Sequence, residues 1–82
     1  MTRYVLRMTH HRKYEGWVPV DTDKPPLYLY KSVSRNARHG FLVYTVTENI
    51  DQARTWKTRA GAEGYLAKKF DGLGYVVEEV EA

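Results

Sequence analysis

The chain has three histidines, the residue type that titrates near neutral pH, and two of them, His10 and His11, are adjacent while the third is His39. A catalytic histidine needs a positioned nucleophile or carboxylate. The sequence holds no Cys, no Gly-x-Ser-x-Gly elbow and no His-Glu-x-x-His, so none of the familiar arrangements supplies that partner. As metal ligands, His10 and His11 point to opposite faces of any strand and share an ion only if a turn bends them together. His39 would be the third nitrogen, brought in across the sheet. Solvated turn histidines account for all three, and we expect no enzyme activity, no metal and no cofactor.

The remaining chemistry-bearing patterns narrow the choice. Glycines at 61, 64, 72 and 74 form neither Gly-x-x-x-x-Gly-Lys-Ser/Thr nor Gly-x-Gly-x-x-Gly. Gly72-Leu73-Gly74 also precedes an apparent strand, whereas a dinucleotide loop follows one. The acids Glu78, Glu79 and Glu81 alternate on a strand and read as a solvated tail rather than a glycosidase pair. The basic set is more informative. Arg3, Arg7, Arg12, Lys13, Lys31, Arg35 and Arg38 fall in the first half, interleaved with Tyr14, Trp17, Tyr28 and Tyr30. Cations beside flat aromatic faces suit either a protein interface anchored by aromatics or a nucleic-acid surface that neutralises phosphates and stacks bases. The candidate binding residues are Arg12, Lys13, Trp17, Tyr28, Tyr30, Arg35, Arg38 and His39.

These residues must be held by a small scaffold. The chain has 82 residues, 13% aromatic, with 13 Lys+Arg against 10 Asp+Glu for a formal charge of +3. Such a length supports one core, built by packing alone since there is no thiol to staple it. Residues 1–40 carry eight Lys+Arg and three acids (+5), and residues 41–82 carry five and seven (−2). Neither half could bury a core by itself, so the asymmetry describes two faces of a single domain, 1–82. No run approaches the ~20 apolar residues of a membrane span, and the first thirty residues lack a signal-type apolar stretch. The mature chain is expected to begin at Met1 and to work in the cytoplasm, away from membranes.

Periodicity then supplies the elements. Arg3–Thr9 alternates with Tyr4, Leu6 and Met8 on one face and predicts a strand. His10–Lys13 reads as a basic turn, and Tyr14–Val20 as a return strand that Pro19 confines to an edge. Val20–Pro26 is a loop, with two prolines and short polar residues. Leu27–Ser34 and Phe41–Thr47 read as strands around a Ser34–Gly40 hairpin, together a meander. A turn at Glu48–Gln52 precedes a short strand carrying Arg54 and Trp56. Thr58 offers an N-cap, and Arg59–Phe70 predicts a helix burying Ala62, Leu66 and Phe70, with Trp56 buried over its start. Gly61 and Gly64 imply close approach of the helix to the sheet. Gly72 and Gly74 end the helix at positive φ, and Tyr75–Val80 is the last strand. The expected fold is α+β: an antiparallel sheet of about four or five strands with a single helix near the C-terminus on one face.

From Thr47-Glu48-Asn49-Ile50-Asp51-Gln52-Ala53-Arg54-Thr55-Trp56-Lys57-Thr58 through Ala62, Tyr65-Leu66 and Tyr75-Val76-Val77, the chain resembles small, mostly uncharacterised proteins of phages and bacterial mobile elements. The resemblance spans roughly residues 41–80. It implies a meander, a helix and a final strand in a short accessory protein, a class that includes inhibitors of host defence and small nucleic-acid-associated proteins, and it carries over no functional residue. The functional expectation is a non-enzymatic protein-binding accessory protein, with nucleic-acid binding through the basic half as the alternative.

Overall fold

The computed structural model describes residues 1–13, 16–35, 38 and 42–81. Its framework is a four-stranded antiparallel sheet built from strands far apart in sequence. These are β1 (Thr2–Met8), β4 (Tyr28–Leu29), β7 (Val46–Thr47) and β8 (Tyr75–Glu81), in the order β7-β4-β1-β8. The longest pairing joins the two ends of the chain, with all seven β1 residues opposite β8 from Thr2↔Glu81 to Met8↔Tyr75. Two short hairpins extend the framework: β2 (His10–Lys13) with β3 (Gly16–Pro19), and β5 (Ser34–Arg35) with β6 (Leu42–Val43). The α+β expectation holds. The meander gives way to an order in which β1 pairs with β4 and β8, while β3 pairs with β2.

Alternation along the strands makes two faces. Register puts Tyr4, Leu6 and Met8 beside Tyr75, Val77, Leu29 and Val46 on one of them. That face carries the helix. Leu6, Leu29, Phe70 and Tyr75 form the buried centre, with Met8, Val33, Val46, Trp56, Tyr65, Leu66, Leu73 and Val77 packed around it. Rings tile much of the space: Phe70 meets Tyr75 edge-on at 5.3 Å, stacks with Tyr65 at 5.7 Å and receives the edge of Tyr44 at 4.9 Å. Such pairs add about 0.5–1.5 kcal/mol each beyond the area they bury. Among the described residues the opposite face has no helix. There Val5 is fully buried, with Glu78 opposite it in β8 and Arg3 and Arg7 at the neighbouring positions of the same face.

The helix forms as its sequence requires. The Thr58 side-chain oxygen accepts from the Gly61 N–H at 3.1 Å, starting α1 (Arg59–Tyr65), which continues as a π-helical turn over Leu66–Phe70. Ala62 and Phe70 are buried, whereas Leu66 and Trp56 are half-buried, short of the full burial expected. Trp56 is held at the edge of the core because its backbone bridges Tyr4, with reciprocal bonds of 3.0 and 2.9 Å, and its ring lies against Tyr65. The close approach expected at the two glycines is not to the sheet: a Cβ at Gly61 would lie 3.2 Å from the Thr58 cap oxygen and at ordinary contact distance, 3.4 Å, from Trp56, and Gly64 faces open space. Among the described residues no helix is long and apolar enough to cross a membrane.

Four local readings differ from expectation. Leu27–Ser34 is not one strand: β4 covers only Tyr28–Leu29, because from Tyr30 the chain bridges Ala53 instead of continuing along β1, and Ser34 starts β5. His10–Lys13 is a strand rather than a turn, because the chain leaves β1 through Thr9 still extended and finds a partner in Gly16–Pro19. Phe41–Thr47 is not one strand. The described part divides into Leu42–Val43 and Val46–Thr47, and Tyr44 between them turns toward Phe70. The segment after Thr47 holds a 3-10 turn at Ile50–Gln52, capped by Asn49, and then touches the sheet only through bridges at Ala53 and Trp56.

Candidate functional site

The β2–β3 ribbon begins where β1 runs past the sheet. Both the Thr9 and the His10 N–H donate to the Gly74 carbonyl, at 2.7 and 3.2 Å, and the Val20 N–H donates to the Thr9 carbonyl at 2.9 Å. This knot of backbone bonds redirects the strand into a ribbon. In the ribbon Arg12 stands opposite Trp17 and His11 opposite Val18. Arg12 and Trp17, side by side across the pair, occupy the same face. Trp17 is 44% exposed, unusual for so large an apolar ring.

A groove of about 360 Å³ opens between this ribbon and the end of the helix-bearing face. Trp17, Tyr44 and Tyr75 give it aromatic walls, and His10, His11 and Arg12 give it polar and cationic ones. Among the described residues no carboxylate lines it. Tyr44 is 39% exposed, though its ring also packs edge-on against Phe70 and Tyr75. One wall is therefore anchored in the core, while Trp17 stands out on the ribbon. Burial, with Tyr44 nearby as a lesser cause, pushes the Tyr75 phenol well above the usual tyrosine range, so it is neutral at physiological pH.

A second concavity, about 490 Å³, lies between the 20–26 loop and the helix-free face, with Arg7, Glu78, Val20, Asp21 and Lys24 among its lining. Its central charges are opposed: Arg7 Nε and Glu78 Oε2, both shielded from water, form an ion pair at 3.2 Å without a hydrogen bond between them. We assign the site to the Trp17 groove, where exposed apolar surface has no such internal partner.

The eight residues singled out from the sequence do not converge. Arg12 and Trp17 come together in the groove, and the backbone of Lys13 pairs with Gly16 at the ribbon's far end. Tyr28 lies on the helix-free face opposite Arg7, half-buried, its phenol raised by burial and by Glu78 against the opposing influence of Arg7. Tyr30 is half-buried and bridged to Ala53. Arg35 pairs through its backbone with Leu42, Arg38 is exposed, and His39 lies outside the described residues. The two basic hairpins also leave in opposite directions, since β4 runs antiparallel to β1. Sequence reading missed Tyr44 as a site residue: nothing in Leu42-Val43-Tyr44-Thr45 signals that the strand breaks there, with neither Gly nor Pro to mark it.

A different cluster of cations and rings sits at the helix start. The Arg54 guanidinium lies 4.9 Å from the Tyr65 ring centre and 5.7 Å from that of Trp56, and it donates to the Lys31 carbonyl at 3.1 Å. This arrangement is internally satisfied and ties the 50–56 segment to the helix. Among the described residues no group of three or more His, Asp or Glu side chains comes together as a metal site. Compared with protein-family models, with curated proteins and with solved structures, the chain finds no match, so its site is read from its own residues.

Proposed function

We propose that this protein is a non-enzymatic binding module that takes an acidic, apolar-bearing segment of a protein partner into the Trp17 groove. The observation that carries this reading is the pairing of exposed Trp17 and Tyr44 in one groove whose rim holds His10, His11 and Arg12 and, among the described residues, no carboxylate. Trp, Tyr and Arg are the residue types whose truncation costs most at protein interfaces, and they act best around a concavity that excludes water. In this role Trp17 and Tyr44 enclose an apolar side chain, and the cationic rim selects acidic neighbours. The resemblance to phage and mobile-element accessory proteins fits a module that works by attaching to another protein, inhibition of a host system being one such employment. A thiol-free chain suits the reducing cytoplasm in which such partners are met.

The alternative, nucleic-acid binding, draws support from one specific feature. A two-stranded ribbon carrying Arg12 and Lys13 has dimensions that a DNA major groove admits. Affinity capture from source cells separates the two readings. The protein reading expects bait to retain a partner after nuclease treatment and to lose it on Trp17→Ser/Tyr44→Ser substitution. Capture abolished by nuclease, and insensitive to the double substitution, would overturn it in favour of the ribbon.

A further inference from the structure

The chain's two longest strands pair with each other, yet one of them is at the edge of the sheet. β8 spans Tyr75–Glu81 and is bonded to β1 on one side, and among the described residues no strand pairs with its other side. Which backbone groups face outward follows from the register. The Tyr4 N–H donates to the Trp56 carbonyl and the Met8 N–H to the Leu27 carbonyl, so the even residues of β1 bond away from β8 and the odd ones toward it. Arg3, Arg7 and Val5 stand opposite Val80, Val76 and Glu78, whose backbone groups are thereby used. The N–H and C=O groups of Tyr75, Val77, Glu79 and Glu81 point to the open edge.

Side-chain charge decides what fits that edge. Glu78 is paired with Arg7 at 3.2 Å, whereas Glu79 is exposed and makes no ion pair with any described residue. Among the described residues Glu81, also exposed, meets the terminal amine at 3.6 Å and the Thr2 hydroxyl at 2.9 Å. A second copy is a poor occupant. The antiparallel register that pairs all four outward residues sets Glu78 against Glu78 and brings six acids into one two-stranded ribbon, which like-charge repulsion opposes. The same acids complement a strand bearing Lys or Arg.

We propose that the outer edge of β8 is a strand-docking site for a protein partner presenting an extended basic segment. Main-chain bonds to Tyr75, Val77, Glu79 and Glu81 supply the binding, and Glu79 and Glu81 supply the preference for cations. The site is independent of the Trp17 groove, and either can fail without the other.

The test uses the full chain, isotopically labelled, and a synthetic peptide of about nine residues alternating Lys and Val, a usual strand length. Two control peptides accompany it: one alternating Glu and Val, and one of equal positive charge in a Gly-rich, non-strand sequence. The proposal expects amide exchange at Tyr75, Val77, Glu79 and Glu81 to slow about tenfold or more with the Lys-Val peptide alone. Glu79→Pro removes an outward donor and leaves the β1 ladder intact, so it should abolish protection while the protein stays folded. Should Glu79→Pro not fold, Glu79→Lys/Glu81→Lys serves instead and should transfer the preference to the Glu-Val peptide. Equal protection by the Gly-rich cation overturns the proposal, as does protection by both alternating peptides. Protection without any peptide that grows with protein concentration, together with a doubled mass, would assign the edge to a second copy.

Discussion

Replacing Gly74 by Ala tests the joint from which the ribbon, and so the groove, takes its direction. Gly74 has φ +82°, and a Cβ there would come 2.5 Å from the His10 carbonyl oxygen and 3.1 Å from the His10 Cβ. Neither neighbour can step aside cheaply, because the Thr9 and His10 N–H groups are both bonded to the Gly74 carbonyl. The left-handed conformation costs a residue with a Cβ about 1–2 kcal/mol, and forcing a methyl into filled space adds about 1–3, for a total of about 2–5 kcal/mol. Gly72 provides the control. Its φ is +76°, but a Cβ there meets nothing within 4 Å, so Gly72→Ala should show the conformational cost alone. An 82-residue fold is stable by roughly 4–12 kcal/mol at typical values per residue, so Gly74→Ala removes a large share of the total. Urea unfolding of both variants gives the difference, expected to be about 1–3 kcal/mol, or roughly 4–24 °C in Tm for a domain of this size. Equal destabilisation by the two substitutions would refute the close approach of Gly74 to His10.

Three further outcomes follow from the core and the cap. Phe70→Ala should cost about 3–5 kcal/mol, since the ring is fully buried amid three other aromatics, and calorimetry reads it directly. Thr58→Ala should lose about 0.5–2 kcal/mol by freeing the Gly61 N–H, with Thr58→Ser recovering most of it, as measured by thermal melts. Tyr75 should make the fold alkali-sensitive. Its pKa is raised on folding, so its stabilising contribution is complete below pH 10 and declines as pH rises from there toward the folded value, because the unfolded state alone releases the proton. The slope is up to about 1.4 kcal/mol per pH unit, and Tyr75→Phe should flatten it in urea melts taken above pH 10.

The parts of the fold legible in the sequence are those fixed locally. Thr58 announces the helix because a cap is decided within one turn, and Gly72 and Gly74 mark its end because their φ values tolerate no other residue easily. Strand partners are another matter. Nothing in Arg3–Thr9 says whether it will pair with its neighbour in sequence or with Tyr75–Glu81 at the far end, and that choice depends on burying Leu6 beneath Phe70. His10–Lys13 reads as a turn by its charge, yet becomes a strand because a partner is available, which moves Arg12 beside Trp17. The site was half legible for the same reason. Trp17 and Arg12 are visible as a type of surface, while Tyr44 joins them only through a break in a β-branched and aromatic run that carries no breaker residue.

The most direct measurement of the groove's role is a salt series of NMR titrations that follows the Trp17 indole N–H, once with an acidic peptide that bears a central Leu or Phe and once with oligo(dT). The account predicts that the peptide moves the Trp17 and Tyr44 signals and retains most of its affinity as salt rises, with oligo(dT) weaker throughout. Steep, linear loss of affinity with log salt for oligo(dT), and no Trp17 response to the peptide at any salt, would contradict it.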